Sequence, residues 1–149
     1  MLNKERLNNL ASELWKGAIK LRGKFKAYEY QAVILPMVMI RRIECMLIQK
    51  REEIAGDIKR NNPSILETDL ARKVKQREIL TIPYHNKSNW TLKSILQESS
   101  TQVETNFREY LKEFSPLINE IIDEFNYRET VSKMVRANRL DSIISLVAD

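Results

Sequence analysis

Ala32-Val33-Ile34-Leu35-Pro36-Met37-Val38-Met39-Ile40 is an unbroken apolar run inside a longer segment, Tyr28 to about Ile54, that reads as one helix. A helix apolar on every side belongs in the middle of a bundle, and this run is only about half of what spans a bilayer. Pro36 removes one backbone donor, which predicts a kink there or the true first turn of the helix.

Working outward, the amphipathic pattern continues on both sides. Leu7, Leu10, Ala11, Leu14, Ala18 and Leu21 fall on one helical face, Trp15 widens it, and Gly23 is placed to end that helix in a left-handed conformation. Beyond Asn61-Asn62-Pro63, Ser64 is positioned to cap a helix from Ile65 to about Arg77, with Leu66, Leu70 and Val74 inward. Ile79-Leu80-Thr81-Ile82-Pro83 suggests a short strand, Tyr84 to Asn89 a polar loop, and Thr91 the cap of a helix over Leu92–Gln97. Val103, Phe107, Leu111 and Phe114 make the next stripe. Ser115-Pro116, a cap followed by proline in the first helical position, starts another with Leu117, Ile118, Ile121, Ile122 and Phe125 inward. Val131, Met134 and Val135 form a stripe broken near Asn138, and Leu140, Ile143, Ile144 and Val147 begin a last one. That final stripe is cut off at Asp149, so the natural polypeptide is expected to continue. The fold class is all-α: a multi-helix bundle of about six to eight helices, with at most a short strand near residues 79–82.

Composition agrees. The chain has 149 residues, 43% of them hydrophobic and 30% charged, which suits one globular domain with a real core over 1–149 and excludes disorder. Three Gly and four Pro leave few turn markers. Cys45 alone permits no disulfide framework and no cysteine metal site, and it is expected to be a buried thiol. The N-terminus lacks a signal-peptide hydrophobic region, so a soluble, cytoplasmic protein is expected. Net charge is +5, from 25 Lys and Arg against 20 Asp and Glu.

The positive charge is concentrated in two places. Lys16, Lys20, Arg22, Lys24 and Lys26 are five cations in eleven residues with no acid among them. Arg72, Lys73, Lys75 and Arg77 are four in six. Cations on one surface bind phosphates and release condensed counterions, so both clusters are candidates for sequence-independent DNA contact; the competing reading is a solvated helix face. His85, the sole histidine, reads as a loop residue without a catalytic role, and no metal site is expected. Glu52-Glu53 and Asp123-Glu124 read as solvated faces. Trp15, Trp90, Phe107, Phe114 and Phe125 are placed in the core rather than on a base-stacking platform.

Several motifs fall in a telling order: Leu14-Trp15-Lys16-Gly17-Ala18-Ile19-Lys20-Leu21-Arg22-Gly23, then Tyr28-Glu29-Tyr30-Gln31, then Ile82-Pro83-Tyr84 with Trp90-Thr91-Leu92, then Phe114-Ser115, then Ala137-Asn138-Arg139-Leu140. The succession resembles the N-terminal helical domain of the modification (M) subunit of type I restriction–modification systems, and it covers nearly all of the chain. Pro36 departs from that pattern, where related subunits tend to carry a small residue. The resemblance implies a fragment of a longer adenine-specific DNA methyltransferase. That parent would methylate adenine N6 with S-adenosylmethionine, in an assembly with a specificity (S) subunit and a restriction (R) subunit as further partner. The chain itself lacks what such chemistry needs. Its glycines are isolated at 17, 23 and 56, and Asn62-Pro63-Ser64-Ile65 is a turn rather than an Asn-Pro-Pro-aromatic loop. No catalytic residue, no cofactor and no metal are therefore assigned within it. The expectation is a non-catalytic domain that assists assembly and encloses duplex DNA. The alternative is a protein–protein docking module with no DNA contact, which uses an apolar patch near Leu140–Val147 against the catalytic domain.

Overall fold

The computed structural model describes the backbone of residues 27–148, with side chains from Gln31 onward. The first amphipathic helix, Trp15, and the cluster Lys16, Lys20, Arg22, Lys24 and Lys26 lie outside the described residues. Seven α-helices follow in order: α1 (Ala27–Asn61), α2 (Glu67–Thr81), α3 (Leu92–Gln97), α4 (Val103–Lys112), α5 (Pro116–Glu124), α6 (Tyr127–Arg136) and α7 (Leu140–Ala148), with one 3₁₀ turn at Ser100–Gln102. The fold is an all-α bundle, and no helix among the described residues is long and apolar enough to cross a membrane.

Helix α1 organises the molecule. Its 35 residues extend about 52 Å. The first half is the bundle's axis. Val33, Met37, Ile40 and Leu47 are buried at steps of three, four and seven, and they pack with Phe107, Tyr110, Tyr127 and Ile144 in one core. Within the apolar run from Val33 to Ile40, only Leu35 is exposed. Pro36 is neither a start nor a stop, because the helix continues through it. The Tyr127 hydroxyl donates to the Val33 carbonyl (3.0 Å), tying the turn beside the proline to α6. Cys45 is half-buried on the same helix.

The second half of α1 leaves the bundle and carries α2 against it as a two-helix arm. Helix α2 begins later and ends later than its sequence suggests. Leu66, exposed rather than inward, is the N-cap, with no side-chain bond; Ser64 instead reaches the Asn62 side chain. Ile79, Leu80 and Thr81 form the last helical turn, not a strand. The chain leaves the helix at Ile82, which is extended because the residue before Pro83 is barred from helical angles.

Downstream, the capping residues act as their chemistry dictates. Thr91 and Ser94 form a reciprocal capping box at α3. Ser115 caps α5 and also donates to the Pro83 carbonyl (2.6 Å). Asn126 and Asn138 take left-handed angles (φ 52° and 56°) where α5 and α6 end, the place glycine would otherwise hold. Two expectations for the surface are overturned. Leu140, Ile143, Ile144 and Val147 are buried against α1, α3, α4 and α6, so the docking patch assigned to them is core. Leu117 and Phe125, expected inward, face solvent at α5, whereas Ile118 and Ile122 are buried and Ile121 packs half-buried against the core.

Candidate nucleic-acid interface

The four cations of α2 do not share one face, because a helix turns about 100° per residue. Lys75 points inward. Its ammonium donates to the carbonyls of Asn86 and Ser88 (both 2.9 Å) and to Glu78 Oε1 (3.3 Å). This lysine holds the loop after α2 in place and is committed inside the protein. Burial, and then the neighbouring Arg51 charge, push its pKa below the usual lysine value, partly offset by Glu78. Arg77 pairs with Asp57 across the arm at 2.7 Å, and that bond holds the Asp57 carboxyl below its ordinary pKa. Arg72 stands 3.7 Å from Asp69 and remains exposed. Lys73 makes no ion pair with a described residue and lines an open groove of about 430 Å³ with Ile58, Asn61, Gln76 and Leu80. Of the second cluster, Arg72 and Lys73 are thus the cations with outward reach.

Beneath this surface lie two buried carboxylates whose importance the sequence reading missed. Glu78 is fully buried. Arg51 grips both its oxygens (2.6 and 3.1 Å), and the Asn86 backbone N–H donates to Oε2 (2.8 Å). Burial raises its pKa; the Arg51 bonds, the Asn86 amide and the charges of Arg51 and Lys75 outweigh that, so the net direction is down. Glu44 plays the same part in the bundle. Its Oε1 accepts the Leu92 N–H (2.8 Å) and the Tyr110 hydroxyl (2.9 Å), while Arg41 binds Oε2 at 2.7 Å. A carboxylate at the start of α3 satisfies orphan amides and suits the helix dipole. Both acids occupy stripe positions, Met37-Ile40-Glu44-Leu47 and Leu70-Val74-Glu78, at steps of three and four. A charge on an apolar stripe must find partners, and that was the available signal.

The loop from Ile82 to Thr91 is held by hydrogen bonds as well as by the packing of Ile82, Tyr84 and Trp90 on the core. Asn86 is buried; its Nδ2 donates to the Tyr110 carbonyl (2.9 Å), and its Oδ1 accepts from both the Ser88 N–H and hydroxyl. A backbone bridge joins Asn86 to Phe114, with Lys87 N–H to Glu113 (2.9 Å) and Ser115 N–H to His85 (2.9 Å). His85 Nδ1 lies 2.8 Å from the Ile82 carbonyl, which can only accept, so Nδ1 carries the proton. Trp90 is half-buried and donates to Glu109 (3.0 Å), and Phe107 and Phe114 are core. Gly56, the one described glycine, sits inside α1 with open space around it, and no described loop offers a glycine-rich turn. Among the described residues, no group of three or more His, Cys, Asp or Glu could hold a metal ion.

Comparison with known proteins gives a consistent picture. The sequence profile described as HsdM N-terminal domain matches residues 10–147. A curated protein from Methanocaldococcus jannaschii, the type I restriction enzyme MjaIX methylase subunit, is 31% identical over 58 residues. That match covers 39% of this chain and 10% of the methylase subunit. No solved structure matches the chain.

Proposed function

The chain belongs to the HsdM N-terminal domain family, and from that premise we propose that it is a non-catalytic helical domain of a type I methylase M subunit. In this reading it assists assembly with the S subunit and helps close the complex around duplex DNA, while the parent protein transfers a methyl group from S-adenosylmethionine to adenine N6. The S subunit would read the bases.

The observation that carries the DNA part is the acid-free run Lys16, Lys20, Arg22, Lys24 and Lys26 in a chain of net charge +5. Arg72 and Lys73 on the arm are proposed as secondary phosphate contacts. Lys75 and Arg77 are set aside, one for its internal hydrogen bonds and one for its Asp57 partner. A rigid bundle suits this task, since phosphate contacts position a protein on DNA and need no base readout. The apolar residues on which the docking alternative relied, Leu140 to Val147, are buried within the domain.

Charge reversal at Lys20, Arg22 and Lys24 tests the proposal by fluorescence anisotropy with a labelled duplex. The expected result is loss of duplex binding with helical content and melting temperature unchanged. Undiminished binding in that variant would remove this cluster from the interface.

A further inference from the structure

Helix α5 combines an acidic character with exposed apolar side chains. Leu117, Ile121 and Phe125 follow one another at four-residue steps on one stripe, and Leu117 and Phe125 are 52% and 47% exposed. Leu117 within the helix and Phe125 at its C-cap are large exposed apolar side chains, with Ile121 half-buried between them. The same helix, Pro116-Leu117-Ile118-Asn119-Glu120-Ile121-Ile122-Asp123-Glu124, holds three acids and no base in a chain with five more cations than anions. Asp123 is taken by Arg128, which also reaches the Asn119 side chain. Glu120 and Glu124 pair with no described residue, and both lie at the solvent edge of the apolar stripe.

Each class of occupant meets this patch differently. Duplex DNA and anionic lipid are repelled by Glu120 and Glu124, and duplex DNA gains nothing from Leu117 or Phe125. A second copy seated α5 on α5 would bring together two acidic helices that carry no base, which like-charge repulsion disfavours. What fits is a helix with apolar residues along one side and Lys or Arg beside them.

We propose that the Leu117–Ile121–Phe125 stripe of α5 is a docking face for a basic amphipathic helix of another polypeptide. The apolar side chains supply the buried contact; Glu120 and Glu124 select the partner's charge and set its register. The inference is independent of the DNA reading, because it concerns another helix and the opposite charge.

The test uses the whole chain, isotope-labelled, titrated with a synthetic amphipathic helix of leucine and lysine and with its leucine–glutamate counterpart. The lysine peptide is expected to bind with chemical-shift changes centred on α5, and the glutamate peptide not to bind. Joint substitution Glu120→Lys and Glu124→Lys should weaken the lysine peptide by about tenfold, and so should Leu117→Ser with Phe125→Ser. Because these positions are on the surface, each variant should melt with the wild type and bind duplex DNA at least as well. Equal affinity for both peptides, or lysine-peptide affinity unmoved by either double substitution, overturns the proposal. So does concentration-dependent self-association lost in the Leu117/Phe125 variant, which would give the face to a second copy. A fall in melting temperature of the peptide-free chain on Glu120/Glu124 reversal would give it instead to the chain's own basic segment near 7–26, and would equally overturn it.

Discussion

Lys73 and Lys75 are two residues apart and do opposite things. One side chain ends in solvent on the arm; the other ends on two carbonyls and a buried carboxylate. Lys75→Met should therefore cost about 1–3 kcal/mol in denaturant unfolding, since it strands the Asn86 and Ser88 carbonyls and one side of Glu78. Lys73→Met should stay within about 0.5 kcal/mol, as surface changes do. Equal effects would refute the inward placement of Lys75. Glu44 gives a second contrast. Glu44→Ala leaves the Leu92 amide and the Tyr110 hydroxyl without an acceptor, at a cost of about 2–4 kcal/mol. Glu44→Gln keeps an acceptor and should lose less than half of that, as read from urea midpoints. At this scale the sequence reading saw charge but not direction. It grouped Lys75 with outward cations, and it passed over Glu44 and Glu78, because a helix's inward side is set by its neighbours as well as by its own stripe.

Among the elements, helix existence was legible nearly throughout, since the apolar positions recur at three- and four-residue steps. Ends were legible where a side chain makes the cap. Thr91 and Ser115 were read correctly, for each binds the amide its chemistry calls for. Ends were missed where backbone or distant contacts decide. Ser64 has the right chemistry for a cap yet bonds to Asn62, and the β-branched Ile79 and Thr81 sit in a helix held by the Arg51–Glu78 pair. The two asparagines in left-handed angles give a direct check on the helix ends. Asn138→Gly should leave stability unchanged or raise it by up to about 1 kcal/mol, whereas Asn138→Val should lower it by about 1–2 kcal/mol. A valine tolerated without loss would show that the α6–α7 junction is not left-handed in solution. The stripe reading also overcounted on α5, where Ile118 and Ile122 are buried and Ile121 packs against the core but Leu117 and Phe125 remain exposed.

At the scale of the whole molecule, a bundle built on α1 leaves its arm outside and its last helix inside. The family was legible in the sequence through the order of its motifs, none of which is decisive alone. The candidate interface was legible only as clusters of charge, and folding separates one of those clusters across three directions of α2. What remains is a rigid body with cations outward on one part, an acidic apolar stripe on another, and buried ion pairs that hold its loops. Such a body suits electrostatic contact and assembly. The central claim is that the chain contacts duplex backbone through those cations, and the most direct test is its duplex affinity as a function of salt. With roughly four phosphates engaged, Kd should rise by about a hundredfold between about 50 and 200 mM monovalent salt, with little difference between duplex sequences. An affinity that holds constant across that range, or that follows the base sequence, would contradict the account.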